Sequence, residues 1–417
     1  MNSGSPACGA WCSKRARRLQ WFIAGLLFLS TVLNYIDRQN LSILARIIQD
    51  DLKISDLEYS YVIQAFFLAY TLAYIVNGRL TDWLGARASM AVFIAWWSIA
   101  DMLTALSRSA FSLGFFRFLL GIGEPGNYTA APKAVAECFA PREQGFVIGL
   151  YTAGATLGAA AAPPLVAFIA LHFGWRFVFV VTGGIGLLWL LVWLQIDRPP
   201  RIKTSIQPPP ISAHPWKSVL RRSQTWQLLI ARAITDPVWY FYLFWFPKYL
   251  TEACHQSLRS VGETSWVVYL AADVGCLTAG YISSVLIRKG MMPAQARVRL
   301  MIGCALLLPL NAAVAVAPNL WATVLISSLI TFSHLMWLTS LSGLILDLYS
   351  SVLVGTVFGV VAAGSGLGGM VATEFIGFVV VHYSYAPVFT FMSVLHPLAL
   401  LLILPLQRSS AAFGSTV

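Results

Sequence analysis

The chain has 417 residues, of which 58% are hydrophobic and only 11% are charged. A soluble domain carries roughly 25% charged residues, so this composition excludes an ordinary soluble protein and indicates a membrane protein. The formal net charge of +11 does not point to nucleic acid, because the basic residues lie beside the ends of apolar runs rather than along one solvated face.

Apolar runs recur along the whole chain from Trp21 onward. Each is long enough to cross the hydrocarbon layer of about 30 Å as a helix of about 20 residues. The approximate middles of the runs are Val32, Leu72, Trp96, Leu119, Gly158, Leu188, Leu243, Ala279, Leu307, Leu335, Gly364 and Leu398. The sequence therefore predicts an all-α membrane protein with about twelve transmembrane helices.

Hydropathy collapses between Asp197 and Gln224, where prolines and basic residues are typical of a cytoplasmic linker. We expect an amino-terminal six-helix bundle over residues 1–197, a linker over 198–223 and a carboxy-terminal six-helix bundle over 224–417. Most basic residues fall on one side of the membrane if both termini are cytoplasmic, as the positive-inside rule requires.

The six cysteines are scattered, and the closely spaced Cys8 and Cys12 precede the first apolar run. This pattern indicates neither a disulfide framework nor a metal site. No Walker loop, nucleophile elbow or metal-ligand cluster occurs in the sequence, which argues against an enzyme or a primary pump and predicts no cofactor.

A weak internal repeat relates the two halves. The segment GRLTDWLGAR, from Gly78 to Arg87, follows the second apolar run, and GYISSVLIRK, from Gly280 to Lys289, follows the eighth. The second copy has Ser284 where the first has Asp82. Two pseudo-symmetric six-helix bundles are a transporter arrangement in which substrate binds between the halves near the middle of the membrane.

The first copy resembles the signature loop of the major facilitator superfamily, with Gly78, Leu80, Asp82, Gly85 and Arg87 at the matching positions. The resemblance implies a gating role for Gly78, Asp82, Gly85 and Arg87. A glycine-tightened turn would carry an acid and a base that pair, or contact a neighbouring helix end, in one conformation and separate in another.

Further segments narrow the resemblance to the anion:cation symporters, and within them to the hexuronate transporters for glucuronate and galacturonate. They are NYIDRQNLS from Asn34, RFLLGIGEPGNYTAAPKAVAECF from Arg117, APPLVAFIALHFGWRFVFVVTG from Ala162 and DPVWYFYLFWFPKYL from Asp236. The resemblance implies a proton-coupled importer of an organic anion that works by alternating access. It also implies a plasma-membrane location, with the bacterial inner membrane favoured, and a monomer.

Two acids and two arginines lie inside apolar runs of the first half: Asp37, Arg38, Arg117 and Glu124. A guanidinium never loses its charge and takes a carboxylate bidentately, so Arg38 and Arg117 are candidates to bind the anion. By resemblance, Asp37 and Glu124 couple proton movement to transport, with Arg117 close to Glu124 on one helix face. The competing interpretation is that the acids only neutralise the arginines as structural ion pairs.

Polar and aromatic residues complete the predicted binding site. Tyr35, Tyr70 and Asn127 would supply neutral hydrogen bonds, while Trp239 and Tyr242 would stack on a sugar ring, although interfacial anchoring or ordinary packing explains such residues as well. His334 and Trp337 match a helix-ten pattern of the hexuronate-like group. Asp347 is predicted to gate or cap, and Arg232 with Asp236 to form an ion pair near the start of helix seven.

Substrate choice stays open at the level of sequence. Thr152–Ala155 replaces a polar triplet usual in such transporters, and Ser340 replaces an asparagine, so the site has fewer amide groups. Glucuronate and galacturonate are the leading predictions. The alternatives are an aldonate, an aldarate or an aromatic acid, moved by symport or exchange, and a transporter-like receptor that senses a sugar acid without moving it.

Overall fold

The computed structural model describes residues 14–196, 215–246, 249–250, 253–256 and 258–407, and its regular elements in these ranges are all helical. Seven α-helices form the first half, with a 3-10 turn over Glu124–Gly126 between α4 and α5. They are α1 Lys14–Ile43, α2 Ala45–Leu52, α3 Asp56–Thr104, α4 Ala110–Gly123, α5 Asn127–Cys138, α6 Pro141–Phe173 and α7 Trp175–Leu194.

The second half repeats this arrangement with seven described α-helices. A π-helical turn, Phe241–Trp245, follows the second of them, and a 3-10 segment, Leu308–Val316, follows the fourth. The helices are α8 Pro215–Leu220, α9 Ser223–Tyr240, α10 Leu258–Arg288, α11 Pro293–Leu307, α12 Leu320–Leu348, α13 Val354–His382 and α14 Ala386–Ile403.

The predicted twelve-helix fold is confirmed. Within the described ranges, nine helical segments are long and apolar enough to span a membrane, one of them formed by α11 and the 3-10 segment that follows it. The long helix α3 counts once among them but makes two crossings, because its backbone leaves helical geometry at Gly85. The two remaining crossings are interrupted: α4 and α5 flank the 3-10 turn, and α9 continues into the π-helical turn.

Two hydrophobic cores correspond to the two halves. The buried residues of the largest core cluster all lie between Val219 and Leu406. Those of the second cluster lie between Ile23 and Ile196. Each half therefore packs around its own interior.

Local sequence explains the sharpest changes of direction. Ser55 caps α3 through a capping box with Glu58, and α2 ends just before it. Gly85 has φ 77°, a left-handed conformation that glycine adopts readily. Gly174, with φ 86°, likewise joins α6 directly to α7. These positions reverse the chain between successive crossings.

The two halves meet through glycines of α3 and α13. A side chain at Gly78 would collide with the backbone at Gly355 and Gly359. Similar close packing joins α6 to α10, where Gly149 faces the backbone of Cys276. Because glycine has no side chain, the helix backbones approach directly and the halves are closed on this side of the membrane.

This closed side is the one at which α1 begins, and we call it the basic side. It carries Arg87, Arg142, Arg221, Arg288 and Arg299. The segment 198–214 of the predicted linker lies outside the described residues, as do Cys8 and Cys12. The boundaries predicted for the two bundles and the linker stay a prediction.

On the opposite side, Asp51 at the end of α2 connects to the start of α7. Its carboxylate accepts hydrogen bonds from Arg176 Nη1 at 2.7 Å and from Trp175 Nε1 at 3.1 Å. Arg176 Nη2 also donates to the carbonyl of Ser107 at 3.2 Å. These donors hold the pKa of Asp51 below its ordinary value, so the ionised form is favoured in the folded protein.

Asp51→Asn is expected to lower the melting temperature slightly near neutral pH and to have no effect in acid. The stabilisation is present above the ordinary pKa of about 4 and is lost as the pH falls through the lowered pKa. The pair is solvent-exposed, so its contribution is at most about 1 kcal/mol. Thermal unfolding of both proteins in detergent, measured from pH 7 downwards, tests this. A difference that persists unchanged in acid would contradict it.

Candidate substrate and coupling site

The crossing that carries Glu124 is broken at that residue. The next residue, Pro125, has no backbone N–H, so the carbonyl four residues before it has no helical partner. Side-chain amides satisfy two carbonyls of this region: Asn77 Nδ2 donates to Ile122 O at 2.7 Å, and Asn34 Nδ2 to Glu124 O at 3.4 Å. This interruption is held in place by α1 and α3, and it fixes Glu124 in the interior of the first half.

Arg38 pairs with Glu124 across the site. Its Nε and Nη2 atoms donate to the same carboxylate oxygen, Glu124 Oε2, at 2.9 and 2.8 Å. Arg38 Nη2 also donates to Tyr70 Oη at 2.9 Å and to Asn34 Oδ1 at 3.2 Å. Glu124 is fully buried, whereas the Arg38 side chain keeps 25% of its surface accessible. Arg38 is therefore the more accessible member of this ion pair.

Aromatic rings surround this guanidinium. Its carbon lies 5.0 Å from the ring centre of Tyr35 and 4.7 Å from that of Tyr70. Tyr70 Oη and Tyr74 Oη are 3.0 Å apart, which extends the hydrogen-bond chain away from Arg38. Tyr128 lies in the same group, within electrostatic range of Arg38 and Tyr35. Tyr74 and Tyr128 were not predicted as site residues, because a tyrosine in an apolar run has no distinctive sequence signal.

Arg117 has a different partner from the one expected. It is only 2% exposed, and its Nη2 lies 3.5 Å from Asp101 Oδ1 in α3. Its guanidinium also stacks over Phe179 at 4.9 Å. Glu124 remains within electrostatic range of Arg117, but the direct ion pair of Glu124 is with Arg38. The two arginines therefore belong to separate ion pairs. Arg38 and Glu124 form the accessible pair, and Arg117 and Asp101 form the inner pair.

Asp101 is a functional candidate that the sequence analysis missed. It is fully buried, and Thr182 Oγ1 donates to its Oδ2 at 2.7 Å. Asn40 Nδ2 lies 2.8 Å from the same hydroxyl and 3.4 Å from the carboxylate. The signal was available, since an acid in the apolar run SIADML is as costly in a membrane as Asp37.

Asp37 lies next to this inner pair. It has no exposed surface, and neither of its carboxylate oxygens makes a hydrogen bond of standard geometry within the described residues. The Thr182 hydroxyl is nearby but donates to Asp101. Asp101, Glu124 and Arg117 are all within electrostatic range of Asp37. Asp37 therefore lies in the buried charged group without a hydrogen-bond donor to its carboxylate among the described residues.

Three predicted substrate ligands lie inside the helix packing and not beside Arg38. Asn127 is buried between α5 and α1, where its side chain pairs with Ser30 and Thr31. Tyr242 donates to Asn311 Oδ1 at 2.6 Å in the core of the second half. Trp337 is fully buried in the same core. Their role in binding stays a prediction. In this structure, neighbouring side chains of the protein contact all three residues.

The second half also contains a cluster of polar and aromatic side chains. Trp239 lies parallel to His334, whose Nδ1 is 3.1 Å from His396 Nε2. One helical turn before Trp239, Asp236 accepts from Arg232 Nε at 3.0 Å. The expected ion pair is confirmed, but its predicted position near the start of the helix is wrong, because α9 begins nine residues before Arg232. Arg232 lies well inside α9, within electrostatic range of Tyr74 in the first half. A second arginine therefore lies within electrostatic range of Tyr74, whose hydroxyl is 3.0 Å from that of Tyr70.

The signature acid Asp82 joins the halves on the basic side. Its carboxylate accepts from the backbone N–H groups of Gly355 at 2.9 Å and Thr356 at 2.6 Å, at the first turn of α13. Lys133 Nζ donates to the same carboxylate at 2.7 Å and contacts Val352 O at 3.4 Å. Unpaired N–H groups at a helix start favour an anion, so Asp82 stabilises the closed arrangement.

The other predicted gating residues take distinct positions around this contact. Gly78 packs on the backbone of α13, and Gly85 forms the bend of α3. Arg87 Nη2 donates to Leu194 O at the end of α7, at 2.9 Å. Asp347 pairs with Arg297 at 3.4 Å in the second half. Acid and base of the signature loop therefore contact separate helix ends and do not pair with each other.

Comparison with known proteins places the chain among transporters. Residues 27–373 match the family model of the Major Facilitator Superfamily. A D-galactonate transporter of Escherichia coli O6:H1 is 29% identical over 400 residues, covering 90% of this chain and 93% of the relative. A hexuronate transporter of Escherichia coli K12 is 25% identical over 426 residues, covering 96% of each protein.

Solved structures share the fold at low sequence identity. A proton:xylose symporter bound to 6-bromo-6-deoxy-D-glucose superposes with a TM-score of 0.72 at 14% identity, covering 93% of this chain and 96% of that one. The fucose:proton symporter of Escherichia coli gives a TM-score of 0.70 at 15% identity, covering 95% of this chain and 100% of the other.

Proposed function

The chain belongs to the Major Facilitator Superfamily, and on that premise we propose that it imports a hexuronate sugar acid together with protons. Like its relatives, it is a transporter and not an enzyme. The relatives named for D-galactonate and hexuronate support a sugar acid as the class of substrate. The aldonate is the nearest alternative, since it carries the same single carboxylate.

Arg38 is the observation on which the substrate proposal depends. Its side chain is the accessible member of a pair whose acid is fully buried. A substrate carboxylate that reaches Arg38 can accept hydrogen bonds from two guanidinium N–H groups, in competition with Glu124. The rings of Tyr35 and Tyr70 lie beside the guanidinium, where an apolar face of a sugar can stack on them.

The same pair supplies a coupling mechanism. When the substrate carboxylate engages Arg38, Glu124 loses part of the positive charge that keeps it ionised, so protonation of Glu124 becomes easier. Substrate and proton then enter the buried site together, which neutralises the charge that must cross the membrane. Asp37, which has no hydrogen-bond donors among the described residues, is the second proposed proton carrier. Arg117 and Asp101 would hold the inner charges in balance around it.

A dicarboxylate is the second candidate, and the position of Arg232 favours it. Arg232 of the second bundle lies within electrostatic range of Tyr74 in the first, and it is paired with its own acid, Asp236. A sugar diacid such as an aldarate could engage Arg38 with one carboxylate and Arg232 with the other. One relative, in Bacillus subtilis, is named as a probable galactarate/D-glucarate transporter and is 29% identical over 314 residues.

Uptake into proteoliposomes distinguishes these possibilities. Glucuronate, galacturonate, galactonate and galactarate would each be offered with and without an inward proton gradient. We expect gradient-driven accumulation of a monocarboxylate sugar acid. Arg232→Gln with Asp236→Asn, which leaves no buried charge without a counter-charge, should keep that uptake largely intact. Preference for galactarate with strong dependence on Arg232 would support the diacid instead. Binding of an acid without uptake under either condition would support a receptor.

We further propose that the basic side is cytoplasmic and that Asp82 acts as its gate. Asp82→Asn is expected to slow transport by at least about tenfold while substrate affinity changes little, because the lost charge leaves Lys133 unpaired where it is buried. Initial uptake rates and equilibrium binding of the same substrate, measured on both proteins, would separate the two effects. Equal losses of rate and affinity would contradict a gating role.

A double variant provides the control for the gate. Asp82→Asn with Lys133→Gln removes both partners, so no buried charge remains without a counter-charge. We expect the double variant to transport faster than Asp82→Asn alone. If it is slower, the two residues act independently and the pair does not form the gate.

A further inference from the structure

A cavity on the basic side lies between the two halves, away from the substrate site. Its volume is about 500 Å³, and it is bordered by Arg17 and Trp21 of α1, by Arg142 and Glu143 of α6, and by Tyr281 and Arg288 of α10. The cavity therefore has walls from the first bundle and from the second. The cavity lies at the ends of three membrane-spanning helices, at the depth of the lipid headgroups.

The charge of this cavity is positive. Of its three arginines, Arg17 pairs with Glu143 at 3.2 Å. Arg142 and Arg288 are exposed, and within the described part of the chain neither has a carboxylate partner; Arg288 Nε contacts only the carbonyl of Ser284, at 3.3 Å. Two guanidinium groups are thus available to an anion, one on each half.

The remaining walls are amphipathic. Trp21 is 38% exposed and Tyr281 is 61% exposed, and both lie where an aromatic ring meets the membrane surface. Trp21 packs edge-on against Phe146, which closes the apolar end of the cavity. A ligand that fits has an anionic group for the arginines and an apolar part for the rings. Anionic phospholipid has both, whereas a soluble anion has only the first.

We propose that this cavity binds the headgroup of an anionic phospholipid, held by Arg142 from the first bundle and Arg288 from the second. Because the lipid bridges the halves, it would bind the arrangement that is closed on the basic side. Purified protein in detergent would be titrated with phosphatidylglycerol, phosphatidylcholine or inorganic phosphate, and bound lipid would be counted by native mass spectrometry.

Wild-type protein is expected to retain phosphatidylglycerol in preference to phosphatidylcholine. Arg142→Gln with Arg288→Gln should weaken phosphatidylglycerol binding on the order of tenfold or more, since each arginine near an anionic surface contributes substantially. Each single variant should lose part of this effect, because the headgroup is proposed to touch both halves.

A charge-matched control uses Arg221→Gln with Arg299→Gln. Both residues are exposed on the basic side but do not border the cavity. The control should bind phosphatidylglycerol like the wild type. The proposal is overturned if the control loses as much lipid as the cavity variant, since the effect is then general surface charge. It is also overturned if inorganic phosphate displaces phosphatidylglycerol at equal concentration, since the apolar walls then contribute nothing.

Discussion

Arg38→Lys is expected to weaken binding of the transported sugar acid by about tenfold to a hundredfold, although the positive charge is kept. In the wild type, Nε and Nη2 both contact Glu124, and Nη2 also contacts Tyr70. A lysine side chain has a single nitrogen, so it cannot hydrogen-bond to the buried carboxylate and also bind the substrate carboxylate in the bidentate geometry of a guanidinium. Equilibrium binding of radiolabelled substrate to purified protein measures the effect.

The control for this change is Arg176→Lys. That residue also pairs with an acid, Asp51, but on the far surface of the first half. It should bind substrate with wild-type affinity. If Arg38→Lys stays within about twofold of the wild type while Arg176→Lys behaves as expected, Arg38 does not hold the substrate carboxylate. Arg117→Lys then becomes the next variant to examine, since Arg117 is the other arginine predicted to bind the anion.

Glu124→Gln is expected to abolish accumulation driven by a proton gradient while exchange of labelled for unlabelled substrate continues. The amide imitates a permanently protonated acid, so the site still closes around the anion but no proton travels with it. Arg38, freed from its ion pair with Glu124, should bind substrate at least as tightly as before. Proteoliposomes would be compared under an inward proton gradient and under equilibrium exchange.

Asp37→Asn tests whether the two acids share this role. Asp37 has no hydrogen bonds to lose among the described residues, so its replacement should disturb packing little and should also reduce gradient-driven accumulation. Asp101→Asn differs, because Asp101 accepts from Thr182 and pairs with Arg117; we expect it to lower thermal stability as well. Full accumulation by Glu124→Gln would return Glu124 to a purely structural ion pair.

Sequence alone was sufficient for the number of crossings and for their order. Each predicted helix middle lies in a separate crossing, from Val32 in α1 to Leu398 in α14. The reason is physical: a backbone in hydrocarbon must satisfy its own hydrogen bonds, so a long apolar run is restricted to a helix. The bend of the signature loop was also readable from sequence, since Gly85 adopts a positive φ that glycine takes readily.

Which charges meet was decided only by the tertiary structure. Sequence spacing placed Arg117 and Glu124 on one helix face, yet Glu124 pairs with Arg38 from α1 and Arg117 pairs with Asp101 from α3. Spacing along one helix says nothing of the neighbour that fills the opposite side. The same holds for Asp82, whose partners lie in α5 and α13. Ion pairs in a membrane depend on which helices pack together, because a buried charge must find its partner across an interface rather than in solvent.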